Sequence, residues 1–318
     1  VKTLYLDKNP QYWDSQYPKV NHVVYHYDIS SEDGIKMLLD GKLDAVANAE
    51  PRWFLQLKKQ KFAIQKKKIG ALVWFFFNMH GDRTSPIQDI RVRQAIMYAL
   101  NYEKMIKVVL RGQGRIINHW AFPENLGYND TLPPFTYDPD KAKALLQEAG
   151  YPDGFDMHVV VEDTAKYIIK AIESDLAQIG IRVTDLITDE DTIIQIGLAK
   201  NNPDSEFAHH LDTMDIEIGD CHDYDFFHNL ALHIWTFPST AILNFSNEAD
   251  TEGDQLWLDA MEAFGDDNAC DMWEQVTAYE HNRLGTATVV EKYKFYATRP
   301  DLVWTVHSLW NLRNAYYK

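Results

Sequence analysis

The sequence predicts an α/β protein of about two domains. Three observations carry that prediction. A strand–helix–strand unit runs from Asp156 to Thr188, with a helix over 164–179 that Gly180 closes. The dense apolar run ALVWFFFN at 71–78 has the character of a strand buried on both faces of a sheet. The chain's 318 residues exceed what one ordinary core organises.

The elements follow in order. Residues 1–6 form a β-type run, and NPQYWD after it forces a turn that Tyr12 and Trp13 can pack down. HVVYHY at 22–27 reads as a second strand. Ser30 or Ser31 starts a short helix that stops at Gly41, and KLDAVAN then reads as a buried strand. Asp44 in that segment is a turn-capping carboxylate. After the 71–78 strand, Asp89 caps a long helix whose apolar positions Val92, Ala95, Ile96, Ala99 and Leu100 make one face, with Gly112 and Gly114 as its end. The segment 119–134, with Pro123, Gly127, Pro133 and Pro134, reads as a crossing between lobes. Asp138-Pro139 gives an N-cap with proline at the first helical position, Ala142, Leu145, Leu146 and Ala149 a buried stripe, and Gly150 the stop. Beyond Lys200 the periodicity blurs. Helices are expected over 254–264 and 271–282, a strand over 287–297, and a terminal aromatic element over 304–317.

Charge and motifs exclude several functions. The formal net charge is −16, opposite in sign to that of a nucleic-acid binder. The lysines at 58, 59, 61, 66, 67 and 68 read as a solvated helix or loop face. The longest apolar run falls short of the ~20 residues of a membrane span, and no signal peptide is visible at the start. Cys221 and Cys270 leave one disulfide open and exclude a CxxC site. No phosphate loop, GxGxxG fingerprint or nucleophile elbow is present, so no cofactor is expected and the protein is read as not an enzyme. The interval 209–233 combines His209, His210, His222, His228 and His233 with Asp212, Asp215, Asp220 and Asp223, a metal-ligand composition without a metal-ligand spacing.

Five segments together resemble the family 5 extracytoplasmic solute-binding proteins, the receptors of dipeptide, oligopeptide and nickel ABC importers. They are LYLDKNPQYWD, LLDGKLDAVA, FFFNMHGDRTSPIQDIRVRQAIMYALNYEKMI, YDPDKAKALLQEAGYPDGF and SDLAQIGIRV, which cover most of residues 1–190. The resemblance implies the two-lobe periplasmic-binding-protein type II architecture, truncated at the N-terminus, because the family's longer N-terminal portion is not in this sequence. It divides the chain into lobe I at 1–117, a ligand-contacting lobe III at 118–297, and a return to lobe I at 298–318. It implies a monomer, periplasmic or otherwise extracytoplasmic, that captures a small peptide or similar solute between two lobes and delivers it to a membrane permease. Segments near 112–122 and 295–300 are then expected to run side by side as a hinge.

The same resemblance supplies site residues. The family's peptide binders use the Asp of a Trp-x-x-Asp motif to pair with the ligand's amino group. EIGDCHDYDFFHNL fits that segment with a gap, which makes Asp220 the anchor, Asp223 the second choice, and Glu217 the occupant of the Trp position. Trp120, Phe122 and Trp235 are candidate cleft aromatics, each equally readable as core. Three alternatives stay open: a nickel-type metal or metal-chelate receptor, a ligand-free scaffold or remnant, and an α/β hydrolase.

Overall fold

A computed structural model describes residues 2–27, 29–47, 49–79, 84–117, 126–202, 204–220, 250–304 and 315–317. In chain order these form β1 (Lys2–Asp7), β2 (His22–Tyr27), α1 (Ser31–Leu39), β3 (Ala45–Val46), α2 (Phe54–Lys59), β4 (Ala63–Phe77), α3 (Ile90–Ala99), α4 (Tyr102–Lys104), β5 (Gly114–Ile116), α5 (Pro139–Glu148), β6 (Asp156–Glu162), α6 (Lys166–Ala177), β7 (Arg182–Thr188), α7 (Glu190–Leu198), α8 (Ala208–Thr213), β8 (Ile216–Asp220), α9 (Thr251–Glu262), α10 (Ala269–Arg283), β9 (Thr286–Thr298), β10 (Leu302–Val303) and β11 (Tyr316–Tyr317). Two compact units result, one of residues 1–71 with 293–318 and one of residues 72–292.

In the first unit β1 and β2 pair antiparallel from Lys2↔Tyr27 to Asp7↔His22. Ser30 Oγ accepts from the Asp33 amide at 3.0 Å and starts α1. The buried side of α1, Ile35 and Leu38, packs with Val46, Leu57, Phe295 and Ala297. β3 adds to the end of β9 through Ala45↔Thr298 and Val46↔Ala297. Asp44 is bound by Arg299 at 3.1 Å. Trp13 does not pack its turn down: it is 78% exposed, with its ring beside that of the neighbouring Tyr12.

The second unit is organised by the mixed sheet. β4 pairs antiparallel with β8, and β6 pairs parallel with both β8 and β7. The parallel pairs arise because α6 lies between β6 and β7, and α7 with α8 between β7 and β8. Alternation along β4 sends Val73, Phe75 and Phe77 to one face, where they meet Val92, Ile96, Leu146, Ile168 and Ile172 of α3, α5 and α6. Leu72, Trp74 and Phe76 go to the other face, under Ile193, Ile196 and Leu211 of α7 and α8. Each fully buried phenylalanine contributes about 1.5–3 kcal/mol over its exposed state. The continuous apolar run of β4 is explained by this double burial.

Two local expectations change. The helix from Asp89 does not run on to Gly112: Leu100 is extended, with ψ 124°, and ends α3. Asn101 then caps a new turn by accepting from the Lys104 amide at 2.9 Å, and its own N–H donates to the buried Asp175 of α6 at 2.9 Å. A tertiary acceptor and a local cap together outweigh helix propagation. The lysine run is likewise not one face. Lys58 and Lys59 end α2, whereas Lys66 and Lys67 belong to β4, with Lys66 Nζ 3.8 Å above the Tyr293 ring. Residues 112–122 are expected from sequence beside 295–300; β5 instead pairs with an earlier part of β9, from Gly114↔Lys292 to Ile116↔Val290, and Ala297 and Thr298 pair with β3.

Candidate functional site

The site candidate is β8, the strand that carries Glu217 and Asp220. Its start is fixed by hydrogen bonds. Asp215, which is buried, accepts from Ser85 Oγ at 2.5 Å and from the His158 amide at 2.9 Å. Asn78, fully buried beside it, donates through Nδ2 to the carbonyls of Leu211 at 2.7 Å and Met214 at 2.9 Å. These bonds satisfy backbone groups that the short connection from α8 would leave unmatched. Asp215 is therefore occupied in holding the strand rather than offered as a metal ligand.

Glu217 is 2% exposed, on the sheet face that Trp74 and Phe76 share. It lies opposite Phe76 in β4 and Val160 in β6. Trp74 Nε1 donates to Glu217 Oε2 at 3.2 Å. Burial, and then the charge of Glu162, push the Glu217 carboxyl up to about 8, against the opposing effect of the indole hydrogen bond. At neutral pH this side chain is therefore mainly uncharged, a state that avoids placing an anion in the apolar layer.

Gly219 is opposite Trp74 in the register. A Cβ at Gly219 would stand 2.5 Å from the indole atoms Nε1, Cε2 and Cζ2. The glycine is what lets the ring lie against the strand backbone. Asp220 follows as the last residue of β8, opposite Val73. Its backbone is described and its side chain is not.

Of the sequence-predicted site residues, Glu217 and Asp220 are thus brought onto one strand. Asp223, Trp120, Phe122 and Trp235 lie outside the described residues, as do Cys221, His222, His228 and His233. Cys270 is exposed. His209 and His210 sit on α8, and among the described residues no group of three or more His, Cys, Asp or Glu could hold a metal ion. Among the described residues no helix is long and apolar enough to cross a membrane.

Sequence reasoning missed Trp74 and Glu162, because WFFF was read as core and nothing in linear spacing links Trp74 to a residue 143 positions away. Two signals were available. A tryptophan in a buried strand needs a partner for its N–H, and a glycine inside a strand marks close approach of another group.

The sequence profile of the bacterial extracellular solute-binding proteins, family 5 Middle, matches residues 1–211. The dipeptide-binding protein of Escherichia coli (strain K12) is 28% identical over 178 residues, 54% of this chain and 33% of that protein. The glutathione-binding protein GsiB of Pectobacterium atrosepticum is 28% identical over 186 residues, 56% of this chain and 35% of that protein. The chain therefore spans about a third of the length of these curated relatives. The crystal structure of a dipeptide binding protein from Pseudoalteromonas sp. SM9913, in complex with Met-Leu, superposes with a TM-score of 0.75 at 21% identity, over 99% of this chain and 62% of that one. The α/β fold is that of the periplasmic binding proteins. With its profile match covering residues 1–211, well over half of its length, this chain belongs to the bacterial extracellular solute-binding proteins of family 5.

Proposed function

We propose that the protein is the solute-binding component of an ABC importer, which captures a small peptide or similar solute outside the cytoplasm and delivers it to a membrane permease. Binding without turnover is the role that family membership supports. Peptide as the ligand class is favoured by relatives named for dipeptide and glutathione binding. The observation that carries the reading to a residue is the end of β8, where Gly219 under the Trp74 indole leads directly into Asp220.

Asp220 is the proposed amine anchor. A carboxylate that meets a ligand ammonium as water leaves makes a charge-assisted hydrogen bond, stronger than a neutral one. Asp223, Trp120, Phe122 and Trp235 are the further proposed contacts, and no resident metal or cofactor is required. Isothermal titration calorimetry with Met-Leu and with glutathione tests the proposal. Saturable heat that N-acetylation of the dipeptide abolishes is the expected result. Absence of heat with every free-amine peptide contradicts it.

A further inference from the structure

We propose that Glu217 is a positioning residue for the ligand anchor: by accepting the Trp74 N–H it holds the indole against Gly219 and so fixes the backbone at Asp220. The inference rests on the reading of Asp220 as anchor. Its geometric basis is independent of that reading. The indole reaches Glu217 Oε2 at 3.2 Å, and the same ring fills the space where a side chain at position 219 would stand. Glu217 and Gly219 belong to one short strand, so the indole meets that strand on either side of Ile218, at the Glu217 carboxyl and against Gly219. A ring clamped at both points leaves the strand end little freedom to shift.

The indole hydrogen bond by itself favours the ionised carboxyl; what ionisation disturbs is the apolar layer around it. β4 faces Glu217 with Trp74 and Phe76, β6 with Val160 and Glu162, and the helical layer above with Ile193, Ile196, Ala199 and Leu211. Among the described residues Glu162 is the charged group whose field raises it. A proton lost from Glu217 places a second negative charge beside Glu162 in an apolar layer. The strand end then loosens, and solute capture weakens as pH rises through about 8.

The test has two arms. The first follows Trp74 alone, as the difference in fluorescence between the protein and its Trp74→Phe variant, from about pH 6 to about pH 9.5. A transition centred near pH 8 is expected. It should vanish in Glu217→Gln and move to lower pH in Glu162→Gln, which removes the like charge. No transition, or one that persists in Glu217→Gln, overturns the clamp. The second arm measures the affinity for Met-Leu at about pH 7 and about pH 9, in the protein and in Glu217→Gln. The dipeptide's own amine titrates near pH 8, but equally for both proteins, so the comparison cancels it. The native protein should lose about three- to tenfold more affinity over this interval than Glu217→Gln, the upper figure being the limit for one proton that titrates near 8, midway through the interval. Equal losses overturn the link to the anchor. If Met-Leu gives no binding at about pH 7, the peptide reading and the link to the anchor fail together, while the fluorescence arm still decides whether Glu217 holds Trp74.

Discussion

Trp74 of β4 lies so close to Gly219 of β8 that a methyl group on Gly219 would overlap the indole, at 2.5 Å from Nε1. Gly219→Ala must therefore displace the ring, and with it the hydrogen bond to Glu217. A destabilisation of about 1–3 kcal/mol is expected, the usual cost of overpacking a filled interior. Urea unfolding of the two proteins side by side measures it. A stability equal to that of the native protein means the ring yields freely.

The raised Glu217 carboxyl makes stability depend on pH with a defined sign. In the folded protein it holds its proton up to about 8, whereas the ordinary value is 4.5. Between those limits the native state binds a proton that the unfolded state has lost. The stabilising contribution is complete below 4.5 and is lost as pH rises toward 8. Glu217→Gln removes the titration and keeps an acceptor for the indole. It should raise the melting temperature at pH 8 and flatten the decline from pH 5, a difference on the order of 2–4 kcal/mol. Melting curves at several pH values, identical for both proteins, would count against this origin of the raised value.

Asp175 joins α6 to the break after α3. Its carboxylate is buried, and it accepts the Asn101 amide at 2.9 Å and Lys104 Nζ at 3.4 Å. Asp175→Ala leaves the Asn101 N–H buried without that acceptor, at a cost of about 1–3 kcal/mol. Asp175→Asn keeps a carbonyl oxygen in place and should recover part of the loss. Chemical denaturation of both variants checks the order; equal losses would assign the effect to charge rather than to the acceptor.

Local signals in the sequence were sufficient where a single residue decides the geometry. Ser30, Asp89 and Asp138 each cap the helix they were expected to start, accepting from the amides of Asp33, Arg91 and Lys141. The parallel β6–α6–β7 unit follows from its own periodicity. What escaped depends on partners far along the chain. The end of α3 at Leu100 is set by Asp175, and the strand assignment of Lys66 and Lys67 by pairing within a sheet, which short lysine-rich segments do not announce. β8 itself hid in a polar stretch, because IEIGD carries a carboxylate at a buried position and a glycine where a ring approaches. Both departures from an ordinary strand pattern are the features that make it a site candidate. The candidate was reached from sequence through the family resemblance at Asp220; Trp74 and Glu162 required coordinates.

The central claim is that this chain captures a solute amine through Asp220. Calorimetry with Met-Leu on the native protein and on Asp220→Asn tests it most directly. Asp220→Asn is expected to weaken binding by about 1.5–3 kcal/mol, roughly ten- to over a hundredfold, the range for a hydrogen bond to a charged group. The melting temperature of the unliganded protein should stay unchanged. An unchanged affinity with a lowered melting temperature, or no heat from the native protein with any free-amine peptide, would contradict the account.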